Sequence, residues 1–336
     1  MDGQITARQL EAYACDLWPE IAGRMGVAPE GYRPQALKTR IVSGTSRTLI
    51  LLRARRGGDL VMKVEYPPSK PRRFEDEISA HRNAAALLTG IDGASVPAIH
   101  LAAPDLQVVV MERVLGRTAH EALELADLGL ADRPQVLRAC GNWLGRFHEA
   151  GRVGCNPVRP DAMLRYAAGL EAKVRARQVT VPRRDMFLDL ASIVPRLGEQ
   201  ARGRETRVAA SHGDMHLRNL LIAEQAVYAI DFAAQKALPP GHDLARFLVR
   251  FGNFFVPGAG ARGMAGIAEA DLNAFWGGYG AEHRDDPALR YLLPVQMMSD
   301  WVAIPRDRDG RSSTQTRRLK GLLRMATALI AQGRRA

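Results

Sequence analysis

Two short apolar runs, Leu220-Leu221-Ile222 and Val227-Tyr228-Ala229-Ile230, flank Glu224-Gln225 and predict a β-hairpin. The segment entering it reads His212-Gly213-Asp214-Met215-His216-Leu217-Arg218-Asn219, and the segment leaving it ends in Ile230-Asp231-Phe232. Folding the hairpin brings Asp214, Asn219 and Asp231 together at one end. That places a candidate base beside two candidate metal ligands.

Phosphoryl transfer from a nucleotide needs little covalent help from a protein. It requires a carboxylate for the acceptor hydroxyl and hard oxygen ligands for magnesium. Asp214 is therefore expected as general base, with Asn219 and Asp231 holding Mg2+. The ordered string His-Gly-Asp-x-His-x-x-Asn with a downstream Ile-Asp-Phe resembles the aminoglycoside phosphotransferase and choline kinase-like family of the protein-kinase-like fold. Eukaryotic protein kinases usually read His-Arg-Asp and Asp-Phe-Gly at these places. Gly213 and Ala233 depart from that, which points to the branch acting on small molecules. The resemblance spans residues 38 to 250 and implies an α+β, two-lobed architecture with ATP and Mg2+ as cofactors.

The rest of the chain reads in the same order. Thr6 and Gln9 form a capping box ahead of Leu10, Tyr13, Ala14, Leu17, Trp18 and Ile21, predicting one N-terminal helix. Strands are expected at 48–52 and 60–64 around Gly57-Gly58-Asp59, a helix at 74–88, and strands at 98–101 and 107–111. Beyond Gly116 helices are expected at 133–149, 184–200, 242–251, 269–280, 287–302 and 314–332. The hairpin at Glu224-Gln225 is the one small sheet expected among them. The domain reading is an N-lobe at 1–111, a hinge at 112–117 and a helical C-lobe at 118–336.

Lys63 lies in a strand with apolar neighbours and needs an anion or carboxylate partner. The resemblance implies contact with the nucleotide's α/β-phosphates, and a glutamate from the following helix as partner. Glu75 and Glu77 are both available. At ~100° per residue Glu77 shares the face of Phe74 and His81, which favours it. By the same resemblance, Ser43, Gly44, Thr45 and Ser46 lie over the phosphates, and Met111, Glu112 and Val114 form the adenine-binding hinge. His212 is expected to position the loop, and His216 or Arg218 to steady charge on the transferring group. Asp243 and His148 read as structural. The literal GxGxxG at Gly258–Gly263 follows Pro257 in a helical region and lacks the strand-turn-helix context of a phosphate loop.

Composition narrows the partners. Of 336 residues, 46% are hydrophobic, ample for a globular core, and the three cysteines show neither disulfide nor zinc-ligand spacing. The start lacks a signal-peptide pattern and no run reaches the ~18 apolar residues of a membrane span, so a cytoplasmic protein is expected. The net charge of +11 leaves contact with an anionic surface open, but no recognition helix or RNA motif supports nucleic acid. The basic run from Arg306 to Arg335 reads as a solvated face. After Asp231, Asp and Glu at 243, 269, 271, 282, 285, 286, 300, 307 and 309 are outnumbered by Lys and Arg. The expected partner is a small molecule with a free hydroxyl, a sugar, sugar acid, amino alcohol or envelope precursor, anionic or neutral rather than a polycation; an aminoglycoside stays open but is not favoured. The alternative is a catalytically inactive kinase-like protein that binds nucleotide or a partner without turnover.

Overall fold

Leu10, Ala14, Trp18, Ile21 and Ala22 are all buried, yet they lie on two helices, α1 (Ala7–Asp16) and α2 (Trp18–Met25), and not on one. Pro19 has no N–H to donate and suits only a helix start, so the chain breaks at Leu17. The computed structural model describes residues 5–42, 44–234 and 236–335. Next come β1 (Tyr32–Arg40), β2 (Ser46–Ala54), β3 (Leu60–Tyr66), α3 (Pro71–Leu87), β4 (Ala94–Ser95), β5 (Ile99–Ala103) and β6 (Val108–Glu112). Five of these strands form an antiparallel sheet in the order β1-β2-β3-β6-β5. The sequence gives no strand pattern for β1, because none of its residues is buried and so no alternation is imposed on it.

β3 is central, and its period of two separates two environments. Leu60, Met62 and Val64 pack with Ile50, Leu52 and the α1–α2 pair on one face. Lys63 and Glu65 point to the other, the side on which α3 packs through Phe74 and Ile78 onto Val109. The N-terminal helices thus seal the back of the sheet.

The second lobe holds β7 (Gly116–Thr118), α4 (Ala119–Asp127), α5 (Arg133–Ala150), β8 (Arg152–Pro157), α6 (Asp161–Arg175) and α7 (Arg184–Ala201). It continues with β9 (Glu205–Ala210), β10 (Leu220–Ala223), β11 (Val227–Ala229), β12 (Ala237–Leu238), α8 (Gly241–Phe254), α9 (Glu269–Tyr279), α10 (Pro287–Val302) and α11 (Ser313–Arg335). All six expected helices form. The expectation of one small sheet is corrected to two, β4-β11-β10-β7 and β12-β9-β8. Of the missed strands, β4, β7 and β12 are too short and β8 too exposed to show a period, while β9 hides its period because Val208, Ala209 and Ala210 are all buried in succession. β4 falls within the segment read as N-lobe yet pairs with β11, so the lobes share a strand across the expected boundary.

α5 and α9 cross with backbones almost touching. A Cβ at Gly141 would lie 2.1 Å from the Phe275 carbonyl oxygen, and one at Gly278 would lie 2.0 Å from that of Arg138. Only glycine admits that approach, which fixes Tyr279 against His148. No helix among the described residues is long and apolar enough to cross a membrane.

Candidate active site

The expected hairpin forms, with Leu221 opposite Tyr228 and Ile222 opposite Val227, and the Ile230 N–H donates to the Asn219 carbonyl at 3.0 Å. Asp214, Asn219 and Asp231 thereby reach one end of it. The Asn219 amide nitrogen donates to the Asp214 carbonyl at 3.0 Å, which fixes the orientation of the side-chain amide. Asp231 sits at φ 60, a left-handed conformation that a non-glycine residue adopts at some cost. One carboxylate and one amide oxygen suit Mg2+, which keeps waters and takes phosphate oxygens as its other ligands. No cluster of three or more His, Cys, Asp or Glu that could hold a metal occurs among the described residues.

The loop before the hairpin is held from below. Asp243, in the first turn of α8 and 2% exposed, accepts the His212 N–H at 2.7 Å and the Gly213 N–H at 3.0 Å. His148 Nε2 lies 3.3 Å from the same carboxylate, and its Nδ1 is 3.0 Å from the Tyr279 hydroxyl. Burial pushes the Asp243 carboxyl up. The bonds from His148 and His212 outweigh it and hold the group below the usual carboxylate range. Gly213, at φ +80, fits because a Cβ there would come within 2.8 Å of the Ala233 Cβ. His212 stacks on Phe232 with ring centroids 4.3 Å apart and bonds to the Ile230 carbonyl at 3.1 Å. It positions the loop, and Asp243 anchors it rather than serving as a plain helix cap.

Lys63 reaches across from β3 to Asp231, with Nζ to Oδ1 at 2.7 Å. The Lys63 ammonium holds the Asp231 carboxyl below its ordinary range, ahead of the opposing effect of burial. The anticipated Lys63–Glu77 ion pair is not formed. Glu77 is half-buried and pairs with Arg73 at 3.5 Å; burial pushes its carboxyl up, while Lys63 pulls it down from nearby. Glu75 is exposed. A carboxylate that sequence reasoning missed, Glu65, is fully buried between Arg47 at 2.7 Å and Arg73, and ties β2, β3 and α3 together.

Of the expected phosphate loop, Ser43 lies outside the described residues. Ser46 is buried and its hydroxyl is engaged by the Val42 N–H and carbonyl, so it is not free for a phosphate oxygen. Gly44, at φ +104, has open space about it, and Thr45 is half-buried. Met111 and Glu112 end β6 within the sheet, and residues 113–115, including Val114, cross to the second lobe. The GxGxxG string lies in the coil between α8 and α9, with no strand before it.

His216 stands 3.8 Å from Asp214, but Arg218 turns away, toward His120 Nε2 at 3.4 Å and the Phe254 ring. The guanidinium beside Asp214 is Arg246, whose Nη1 donates to Oδ1 at 2.5 Å. One turn on, Arg250 pairs with the buried Asp300 at 3.4 Å, which also takes Arg318 at 3.3 Å. Asp243, Arg246 and Arg250 recur at i, i+3 and i+7, one face of a helix. That spacing was the signal that could have found them.

Burial holds His81, His120, His212, His216, His242 and His283 below the ordinary histidine range. An unfolded histidine titrates near ~6.5, so below that pH the unfolded chain binds protons the folded chain refuses. Stability is therefore expected to fall as pH drops from 7.5 to 5.5; Glu77, shifted upward, opposes six groups with one. Urea midpoints measured at both pH values check this, and a midpoint that is flat or higher at pH 5.5 would contradict it.

A family model for the phosphotransferase enzyme family, APH, matches residues 39–285. The chain belongs to that family. As an APH-family member it is a kinase-type phosphotransferase acting on a hydroxyl of a small molecule, built on the two-lobed kinase-like fold. No curated protein matches the sequence. Among solved structures, an aminoglycoside phosphotransferase, APH(4)-Ia, is 11% identical with TM-score 0.58, covering 98% of this chain and 99% of that one. A choline/ethanolamine kinase family protein from Mesorhizobium loti is 17% identical with TM-score 0.56, covering 94% and 99%. The amicoumacin kinase hAmiN, in complex with AMP-PNP, Ca2+ and Ami, is 17% identical with TM-score 0.55, covering 96% of each chain. At such identities the shared property is the fold of the APH family.

Proposed function

We propose that the protein transfers the γ-phosphoryl group of ATP, with Mg2+, to a hydroxyl of an anionic or neutral small molecule. The observation that carries this reading is the 2.7 Å Lys63–Asp231 pair joining the two lobes beside Asp214 and Asn219. Neighbours of the same fold hold AMP-PNP with Ca2+, or ADP with hygromycin B, which supports nucleotide and divalent-metal use here. In this reading Lys63 binds the nucleotide's phosphate oxygens, while Asn219 and Asp231 hold the magnesium. When bound, Mg2+ neutralises charge on the phosphates. Asp214 orients the acceptor hydroxyl and takes its proton as the new O–P bond forms and the bond to the nucleotide breaks.

The charges around Asp214 support the acceptor class. Asp243 is committed to the loop, Asp300 to Arg250 and Arg318, Asp271 to Arg133, and Glu269 to Arg284. Arg246 then faces the acceptor from Asp214 itself. It competes with an incoming hydroxyl for Oδ1. An acceptor whose phosphate or carboxylate takes Arg246 frees that oxygen for the hydroxyl.

Transfer of labelled γ-phosphate can be followed over matched acceptors such as gluconate against glucose and glycerol 3-phosphate against glycerol. The anionic member of at least one pair is expected to be preferred. Arg246→Gln is expected to lower kcat/KM for that acceptor about 10- to 100-fold, the value of a charge-assisted hydrogen bond, and to spare the neutral one. Equal losses on both members, or turnover confined to polycations, would sink the acceptor assignment. Nucleotide binding with no transfer to any acceptor would favour the inactive, kinase-like alternative.

A further inference from the structure

A second concavity lies outside the cleft between the lobes. It has a volume of about 780 Å³ and opens between the turn joining α6 to α7 and the connection from α10 to α11. Val174, Val181 and Leu319 form a buried apolar floor. Around them converge Arg177 and Arg183 from the turn, Arg306 and Arg308 from the connection, and Lys320 from α11. Arg184 and Arg311 also line the space, but donate to nearby backbone carbonyls. Among the described residues no carboxylate lines it.

Two features set these cations apart from a solvated face. Arginines nearby on the same surface are paired, Arg175 with Glu171 and Arg202 with Asp161, whereas the five converging cations form no ion pair among the described residues. Gathering them in a concavity raises the local positive potential, which favours an anion there. The backbone is also strained. Arg177 at φ 60 and Arg183 at φ 52 are both left-handed, a conformation costing an ordinary residue about 1 kcal/mol or more and glycine nothing. Arginine at both ends of one turn, where glycine would fold more easily, points to a use for the side chains.

Three further cations of the basic C-terminal run are engaged elsewhere. Arg317 pairs with Glu124, Arg318 with Asp300, and Arg324 donates to the Gly252 and Phe255 carbonyls, fastening α11 to its neighbours. None of the residues lining the cavity contacts Asp214, Asn219, Asp231 or Arg246.

We propose that this cavity is a binding site for a small, phosphate-bearing polyanion, separate from the nucleotide and acceptor sites. Its volume lies within the range of small-molecule pockets, and guanidinium forks match phosphate oxygens two at a time. A bilayer or a nucleic-acid duplex would need a broad face rather than a concavity of this size.

The test is calorimetric titration of the full chain with 2,3-bisphosphoglycerate, a polyanion with no free hydroxyl to phosphorylate, with the cleft saturated by AMP-PNP and Mg2+. One molecule is expected to bind per chain. Arg183→Glu combined with Lys320→Glu, both exposed positions, is expected to weaken binding at least tenfold with an unchanged melting temperature, while Arg246→Gln leaves it unaltered. Absence of binding at millimolar ligand, or binding indifferent to the double substitution, overturns the proposal. So does loss on Arg246→Gln, which would move the ligand to the acceptor site. Vesicles of anionic lipid or duplex DNA binding through Arg183 and Lys320, in place of the bisphosphate, would overturn it in favour of a surface role.

Discussion

Asp214→Ala is expected to lower the rate of phosphoryl transfer by about 10²- to 10⁴-fold, the usual contribution of a positioned general base. Nucleotide affinity should persist, because Lys63 and Asp231 reach the cleft from β3 and from beyond the hairpin, independently of the Asp214 side chain. Single-turnover transfer from labelled ATP, read beside equilibrium binding of AMP-PNP, separates the two quantities. The substitution also strands Arg246, whose close partner is that carboxylate. Asp214→Asn keeps an acceptor for the guanidinium but cannot take a proton, so it is expected to match alanine in rate. Asparagine restoring most of the activity would show that the group orients and does not act as a base.

Asp243→Asn is expected to cost about 3 kcal/mol of stability and to lower kcat together with it. The native carboxylate accepts two backbone N–H groups of the loop and faces His148, all in a buried setting. Asparagine offers one accepting oxygen, so one N–H is left without a partner and an amide NH2 faces a donor. A helix cap alone would lose about 1 kcal/mol and leave turnover intact. Urea titration and steady-state kinetics on one preparation distinguish these. A small loss with unchanged kcat would return Asp243 to the role of a cap.

Much of this was legible in the chain because the site is local in sequence. Asp214, Asn219 and Asp231 are separated by one hairpin whose apolar runs announce it, so spacing and period sufficed to bring them together. Lys63 was legible as a cation among apolar neighbours. Its partner was not, because Glu77 and Asp231 both lie near it and only the relation between the lobes decides which one it bonds. Arg218 and Arg246 exchange places for a similar reason. The loop turns Arg218 outward at His120, while α8, more than twenty residues on in sequence, carries Arg246 back onto Asp214. β1 and β8 left no pattern because exposed strands impose no alternation on their residues, β12 is too short to show one, and β9 hides its period because Val208, Ala209 and Ala210 are all buried.

The α5–α9 crossing bears on how variation in this chain is to be read. From it runs a relay of bonds, Arg207 to the Tyr279 hydroxyl, Tyr279 to His148, and His148 to the carboxylate that suspends the loop. A methyl group added at Gly141 or Gly278 has nowhere to go but between two helix backbones, and the separation it forces pulls Tyr279 from His148. In a saturation scan scored by activity, these two glycines would be as intolerant as residues in the cleft although no substrate comes near them. Intolerance at such positions records the stiffness of a support and says nothing about the ligand.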